Sequence, residues 1–273
     1  MSSVLPDGYI ALRARAASGA GLMSLRVPLE TALGAGSFYA YAERAAGARA
    51  LAGRGVAYAV ALPGDAARVV VRRSRHGGLL AALTGDRFTA PTRAPYELDT
   101  AVRLAALGVR TPEVVAFATY PAGAFRRADV VTREIPGSAD LAAVLAEPMS
   151  EDRRRAVLAA VAQLIADLTL AGARHPDLHV KNILVQRLAT GGMIAYVLDV
   201  DRIWFDRPGS ARVTERNIAR LSRSARKWRR ASALDLAETD MGWLAATAHH
   251  LALESSGAEE PAESAEPPPA AAV

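Results

Sequence analysis

The chain of 273 residues contains no cysteine. This absence excludes a disulfide framework, thiolate catalysis and any zinc site with thiolate ligands. Lysine is nearly absent as well, because only Lys181 and Lys227 occur and the other 31 of the 33 basic residues are arginine. Any task that usually needs lysine must therefore be done by arginine or not at all. The chemistry of this chain has to come from oxygen and nitrogen groups.

Long apolar runs are also missing. No run approaches the ~18 to 20 residues that span a bilayer, and the N-terminal stretch lacks the pattern of a signal peptide. We therefore expect the protein to stay in the compartment where it is made. Aromatic residues make up 5% of the chain and its three tryptophans are scattered, which argues against nucleic acid as a partner. Hydrophobic residues make up 51%, enough for a large domain or two lobes.

The charge is distributed unevenly along the chain. The net charge is +5, although five glutamates and no basic residue lie in the last twenty positions. Without this tail the balance is about +10, which favours polyanions such as nucleotide phosphates, anionic lipid head groups or nucleic acid. Residues 255–273 are mainly Ala, Glu, Pro and Ser and are predicted to be a disordered tail.

The apolar patterns predict strands in the first half and helices in the second. A turn at 63–65 separates two β-rich runs and predicts a hairpin. The pattern at 151–171 predicts a long helix with acids in its first turn and Gly172 after its end. Further strands are predicted at 114–120, 128–135, 182–185 and 193–198, and further helices at 97–107 and within 214–253.

One segment carries most of the chemical information. Asp177 and Asn182 lie five residues apart between the long helix and a strand, and Asp199 follows the next strand. This is the catalytic-loop layout of protein kinases. Asp177 would orient the acceptor hydroxyl or accept its proton, while Asn182 and Asp199 would offer Mg²⁺ the oxygen ligands that it prefers.

Two other readings use the same residues. His175, Asp177 and His179 could be metal ligands, although a zinc site would need further ligands. Asp199 and Asp201 could form the two-aspartate metal motif of a glycosyltransferase, which would leave residues 175–182 unexplained.

A kinase also needs a phosphate-covering loop and a cation paired with a helix acid. Gly53 and Gly55 precede a predicted strand and are candidates for the loop. Arg72 ends a strand where the usual lysine would stand, and Glu97 begins the next suitable helix. We predict that Arg72 and Glu97 position the phosphates of ATP, with Arg72 replacing lysine.

Together these segments resemble the bacterial 3-deoxy-D-manno-octulosonic acid (Kdo) kinases of the lipopolysaccharide kinase family. The similarity spans roughly residues 53–230. His76 and Val200 depart from the family pattern, which usually has Arg and Phe there. The segments that carry the resemblance are 72–79, 85–88, 92–97, 175–182, 198–202 and 217–224.

The resemblance implies a protein-kinase-like α+β fold of two lobes, with ATP and Mg²⁺ between them. It implies phosphorylation of the Kdo sugar on a lipid A precursor, with peripheral contact at the cytoplasmic side of the inner membrane. The expected organisation is an extension at 1–35, an N-lobe at 36–134, a C-lobe at 135–254 and the tail at 255–273. A kinase for another small molecule or a protein, and a pseudokinase that only binds, remain open alternatives, as does the oligomeric state.

Overall fold

The computed structural model describes residues 4–14, 16–51, 56–65, 68–74, 86, 88–89, 92–231 and 236–257. Within these ranges, seven antiparallel strands form one sheet in the order β1-β2-β6-β7-β5-β4-β3. They are β1 (Tyr9–Ala14), β2 (Ala17–Leu22), β3 (Arg49–Leu51), β4 (Ala57–Ala61), β5 (Arg68–Arg73), β6 (Val114–Ala122) and β7 (Phe125–Arg133). Two smaller sheets follow. One contains β8 (Ser138–Asp140), β10 (Ile183–Arg187) and β11 (Met193–Val197), and the other contains β9 (Ala173–Arg174) and β12 (Trp204–Phe205).

The described α-helices divide between the two halves of the chain. They are α1 (Arg26–Gly34), α2 (Phe38–Arg44), α3 (Ala94–Ala106), α4 (Leu141–Ala146), α5 (Glu151–Leu170), α6 (Ala211–Ala231) and α7 (Glu238–Gly257). Short 3₁₀ turns lie at Met23–Leu25, Val180–Asn182 and Val200–Arg202. None of these helices is long and apolar enough to cross a membrane.

Both faces of the large sheet are covered by helices. Because neighbouring residues of a strand point to opposite faces, Val131 of β7 packs in a core with helices α1 and α2. Val130 lies on the other face, in the core that contains Leu98 and Leu104 of α3. This second core continues into α5, where Val157, Val161 and Ile165 are fully buried. Helix α3 therefore joins the sheet to the helical part of the protein.

The predicted hairpins agree with the structure. β4 and β5 pair antiparallel from Ala57 opposite Arg72 to Ala61 opposite Arg68. β10 and β11 pair from Ile183 opposite Val197 to Arg187 opposite Met193. The first hairpin places Arg72 at the edge of the large sheet that faces the helical half. The second hairpin brings Asn182, which precedes β10, next to Leu198, which follows β11.

Residues 1–35 were predicted to be an N-terminal extension, but the strands β1 and β2 of this segment belong to the large sheet. β2 pairs with β6 from Ser18 opposite Thr119 to Gly21 opposite Ala116. The segment escaped prediction because β2 is made of small residues with low strand propensity. Gly19 is needed there, since a Cβ atom would lie only 1.9 Å from the carbonyl oxygen of Phe117.

The predicted long helix agrees closely with α5. Ser150 caps it by accepting a hydrogen bond from the Arg153 N–H at 3.3 Å. Gly172 follows its end with a φ of 67°, and the chain approaches so closely there that a Cβ would lie 2.3 Å from the Asp206 carbonyl oxygen. This close approach holds β12 beside β9, directly before the loop of residues 175–182.

The tail was predicted to begin at residue 255, but helix α7 continues to Gly257. Residues 255–257 add almost one turn beyond the predicted bound, and the Ser256 hydroxyl donates to the Ala252 carbonyl at 2.8 Å within this turn. The remainder of the predicted tail, 258–273, lies outside the described residues.

Candidate active site

The loop between β9 and β10 is held in shape by hydrogen bonds from its own residues. The Asn182 side-chain amide donates to the Asp177 carbonyl at 3.1 Å, and the Asn182 N–H donates to the His179 carbonyl at 2.8 Å. The His179 Nε2 lies 4.0 Å from the Asp177 carboxylate. Since the NH₂ group of Asn182 donates within the loop, its amide oxygen is the side-chain atom left as an acceptor.

Helix α6 fixes this loop through three polar residues that sequence reasoning did not assign to the site. Asn217, fully buried, accepts from the His175 N–H and donates to the Ala173 carbonyl, both at 3.0 Å. The Arg220 guanidinium donates to the Asp177 carboxylate at 2.6 Å. The Ser224 hydroxyl accepts from the Val180 N–H at 3.3 Å. The available signal was their i, i+3, i+7 spacing, which places them on one helix face.

His175 is a neutral structural residue of the loop. Its side chain is 1% exposed, and its Nδ1 accepts the Asp177 N–H at 3.2 Å while its Nε2 lies 2.9 Å from the Leu198 carbonyl. Only the tautomer with its proton on Nε2 satisfies both contacts. Burial lowers the pKa of His175, which agrees with this neutral form.

We expect this histidine to make the fold sensitive to acid. The unfolded chain takes up the histidine proton at about pH 6.5, whereas the native protein takes it up only at lower pH, so stability is lost as pH falls below about 6.5. Between pH 7.5 and 5.5, His175→Gln should lose about 1 kcal/mol less unfolding free energy than the wild type. Urea denaturation at the two pH values measures this difference. The exposed His249→Gln is the control, and an equal loss in His175→Gln and wild type would contradict the assignment.

The β10–β11 hairpin brings Asn182 and Asp199 together. The Leu198 N–H donates to the Asn182 carbonyl at 2.9 Å, directly beyond the last paired residues of the hairpin. Asp199 has a φ of 54°, the only positive φ among the described non-glycine residues. This backbone turns its carboxylate out of the strand, and the side chain is 51% exposed.

Arg72 connects carboxylates from both halves of the protein. Its guanidinium contacts the Glu97 carboxylate in helix α3 and lies 3.5 Å from the Asp199 carboxylate. Burial lowers the pKa of Arg72, but Glu97 and Asp199 outweigh this effect, so the pKa is raised and the cation is retained. Glu97 is almost fully buried in the first turn of α3. The two residues predicted as a pair are thus in direct contact.

Asp201 lies beside this group without contacting Arg72 directly. Burial raises the pKa of the Asp201 carboxyl, and the positive charges of Arg72 and Arg93 oppose that shift. Arg93 lies 3.5 Å from its carboxylate. Asp201 is therefore engaged by an arginine of the segment before α3, whereas Asp199 faces the cleft.

A cavity of about 460 Å³ lies between the large sheet and the helical part. Arg72, Glu97, Asp199 and Lys181 are among the residues that line it. Apolar side chains form its walls, and residues 134–139, which lead from the sheet to α4, border it. The apolar contributors include Ala57, Val70, Val114, Leu184 and Leu198.

Gly53 and Gly55, predicted for the phosphate-covering loop, lie outside the described residues.

For the alternative of a histidine-rich metal site, no group of three or more His, Cys, Asp or Glu residues suited to a metal occurs in the described part of the chain. The ring of His175 is instead engaged by the loop and by Leu198.

Comparison with known proteins agrees with the geometry. The model of the lipopolysaccharide kinase (Kdo/WaaP) family matches residues 41–244. A 3-deoxy-D-manno-octulosonic acid kinase from Vibrio parahaemolyticus serotype O3:K6 is 29% identical, covering 64% of this chain and 71% of the relative. The enzyme of the same name from Vibrio cholerae serotype O1 is 28% identical, covering 64% and 72%.

A solved structure supports the fold. The structure described as WaaP in complex with acyl carrier protein has a TM-score of 0.51 and 20% sequence identity, covering 80% of this chain and 85% of that chain. The predicted α+β fold of the kinase type is thereby confirmed. Since the family match extends over more than half of its residues, this chain belongs to the lipopolysaccharide kinase (Kdo/WaaP) family and is a phosphotransferase.

Proposed function

We propose that this protein transfers the γ-phosphate of ATP to a hydroxyl of the Kdo sugar on a lipid A precursor, in lipopolysaccharide core biosynthesis. The observation that supports the proposal is the loop in which Asn182 bonds Asp177 and lies next to Leu198, directly before Asp199, which lines the cleft with Arg72 and Glu97. The two Vibrio relatives named as Kdo kinases indicate the acceptor.

ATP fits the cleft between the sheet and the helical part. The apolar walls suit an adenine ring, and the chain at 134–139 offers backbone groups for its polar edge. Arg72 lies at the other end of the cavity, where its paired guanidinium would hold phosphate oxygens. Gly53 and Gly55 remain our candidates for the loop that covers the phosphates.

The oxygen ligands present suit Mg²⁺. The amide oxygen of Asn182 and the half-exposed carboxylate of Asp199 are hard donors at the end of one hairpin. Mg²⁺ usually takes only one or two protein ligands and completes its shell with phosphate oxygens and water. When bound, the ion would neutralise the charge that develops on the transferred phosphate.

Asp177 would act on the acceptor. Its carboxylate is held by Arg220 on one side, and its backbone N–H is held by His175. A carboxylate fixed in this way can orient the acceptor hydroxyl and take its proton as the bond to phosphorus forms. Arg220 is a positioning residue in this scheme, since it contacts Asp177 rather than the phosphate.

The location follows from the acceptor. A lipid A precursor is a membrane lipid, so the protein would work at the cytoplasmic side of the inner membrane as a peripheral protein. The described helices include no membrane span, which leaves surface contact as the way to reach the acceptor.

Transfer of phosphate to Kdo-linked lipid A precursor tests the proposal. We expect the acceptor to gain the mass of one phosphate in the presence of Mg-ATP, as measured by mass spectrometry. Aminoglycosides and a generic protein substrate serve as alternative acceptors. Binding of Mg-ATP without transfer to the Kdo lipid would show the acceptor to be wrong, and absence of Mg-ATP binding would favour a pseudokinase.

A further inference from the structure

Helix α6 carries cations on two flanks that differ in their partners. On the flank that faces α7, Arg226 and Arg229 each lie 3.1 Å from the Glu238 carboxylate. These two arginines therefore share one carboxylate within the protein, although the exposed pairs contribute little to stability. The other exposed cations of the helix have a different environment.

The neighbouring exposed side of the helix carries a line of cations that we call the basic stripe. Its members follow one another at steps of 4, 7, 4 and 3 residues, which keeps them on one side of a helix with 3.6 residues per turn. All are exposed, and no carboxylate among the residues that the structure describes lies within ion-pair distance of any of them. The basic stripe consists of Arg212, Arg216, Arg223, Lys227 and Arg230.

The basic stripe runs past the catalytic loop. Arg220, which binds the Asp177 carboxylate at 2.6 Å, lies between Arg216 and Arg223 on the same side of the helix. At 1.5 Å per residue, the five cations extend over about 27 Å. One phosphate group cannot span this length. The partner of the basic stripe must therefore be an extended negative surface that also approaches Asp177.

We propose that the basic stripe binds the surface of a bilayer that contains anionic phospholipids. This inference rests on the proposed function, because a lipid acceptor is presented from such a surface. The apolar side of α6, including Val213 and Leu221, is buried in the protein and unavailable for insertion. The contact is therefore electrostatic and is weakened by salt.

Nucleic acid is the other extended polyanion that such a line of charge could meet. Helix α6 contains one aromatic residue, Trp228, and Lys181 lies 4.9 Å from the centre of its ring. The ring is half-buried and so offers no open stacking platform for bases. The bilayer is the partner that agrees with both the charge and the position of Asp177.

Flotation of the full chain with lipid vesicles tests the proposal without ATP or acceptor. Vesicles of phosphatidylglycerol and phosphatidylethanolamine should bind the wild type, and vesicles of phosphatidylcholine should not. The triple variant Arg216→Gln, Arg223→Gln and Lys227→Gln should bind the anionic vesicles roughly 100-fold more weakly, since each cation near such a surface contributes about fivefold. The matched control removes three exposed arginines elsewhere, through Arg13→Gln, Arg155→Gln and Arg187→Gln.

All six positions are exposed, so both triple variants should keep a melting temperature close to that of the wild type. An equal loss of binding in the two triple variants would overturn the proposal, because net charge and not the stripe would then control binding. Binding of the wild type to a DNA duplex but not to anionic vesicles would also overturn it, as would salt-insensitive binding. Failure of the proposed function appears separately, as absence of phosphate transfer in detergent by a protein that still binds vesicles.

Discussion

Asp199→Asn is expected to lower phosphate transfer at least ~10³-fold, because an ion that it would hold supplies several kcal/mol of charge stabilisation. Asparagine removes the charge and keeps the size of the side chain. It also tolerates the left-handed backbone that Asp199 adopts, so the fold should not change. The loss should reflect the missing carboxylate alone.

Two measurements identify the cause of this loss. Mg-ATP should raise the melting temperature of the wild type, and the magnesium-dependent part of that rise should disappear in Asp199→Asn. Asp206→Asn is the matched control, since it removes the same charge from an exposed aspartate seven residues away. Retention of both transfer and magnesium dependence in Asp199→Asn would exclude this residue as a ligand.

Asp177→Asn should give a different pattern, with transfer reduced by ~10² to 10⁴-fold and the response to Mg-ATP preserved. The asparagine can still accept the hydrogen bond from Arg220, so the loop should keep its shape. What is lost is the negative charge beside the acceptor hydroxyl. Single-turnover transfer and thermal shift with Mg-ATP, measured on the same preparation, separate catalysis from nucleotide binding.

The comparison of the two variants carries more information than either alone. If Asp177→Asn also loses the response to Mg-ATP, then Asp177 supports nucleotide binding and the role assigned to it is wrong. If transfer by Asp177→Asn remains near the wild-type rate, the proton of the acceptor leaves without help from this carboxylate.

The sequence predicted the parts of the fold in which local pattern decides structure. Helix α5 has a serine cap, acids in its first turn and a glycine after its end, and it occurs within one residue of the predicted bounds. The hairpins at 57–73 and 183–197 followed from alternating apolar residues around turn residues. The contact between Arg72 and Glu97 could be predicted because kinases pair a strand cation with an acid of the next helix.

Other parts depended on distant partners and could not be predicted. β2 is a strand because it pairs with β6, against which its small residues pack closely. Local strand propensity does not indicate this pairing. The support of the catalytic loop by Asn217 and Arg220 joins residues more than forty positions apart. Long-range polar contacts of this kind give only a weak signal in a single sequence. Here the signal was the helical spacing of polar residues, which does not identify their partners.

Helix α6 joins a surface of the protein to the catalytic loop through one rigid element. Because Arg220 lies within one turn of both Arg216 and Arg223, a bilayer that contacts the basic stripe would also determine the height of Asp177 above the lipid phosphates. Arg220 projects from the same side of the helix as the stripe, so Asp177 would lie near the level of these phosphates. The protein would then select its acceptor partly by distance, accepting a sugar next to the lipid and leaving sugars farther out in a longer saccharide beyond its reach.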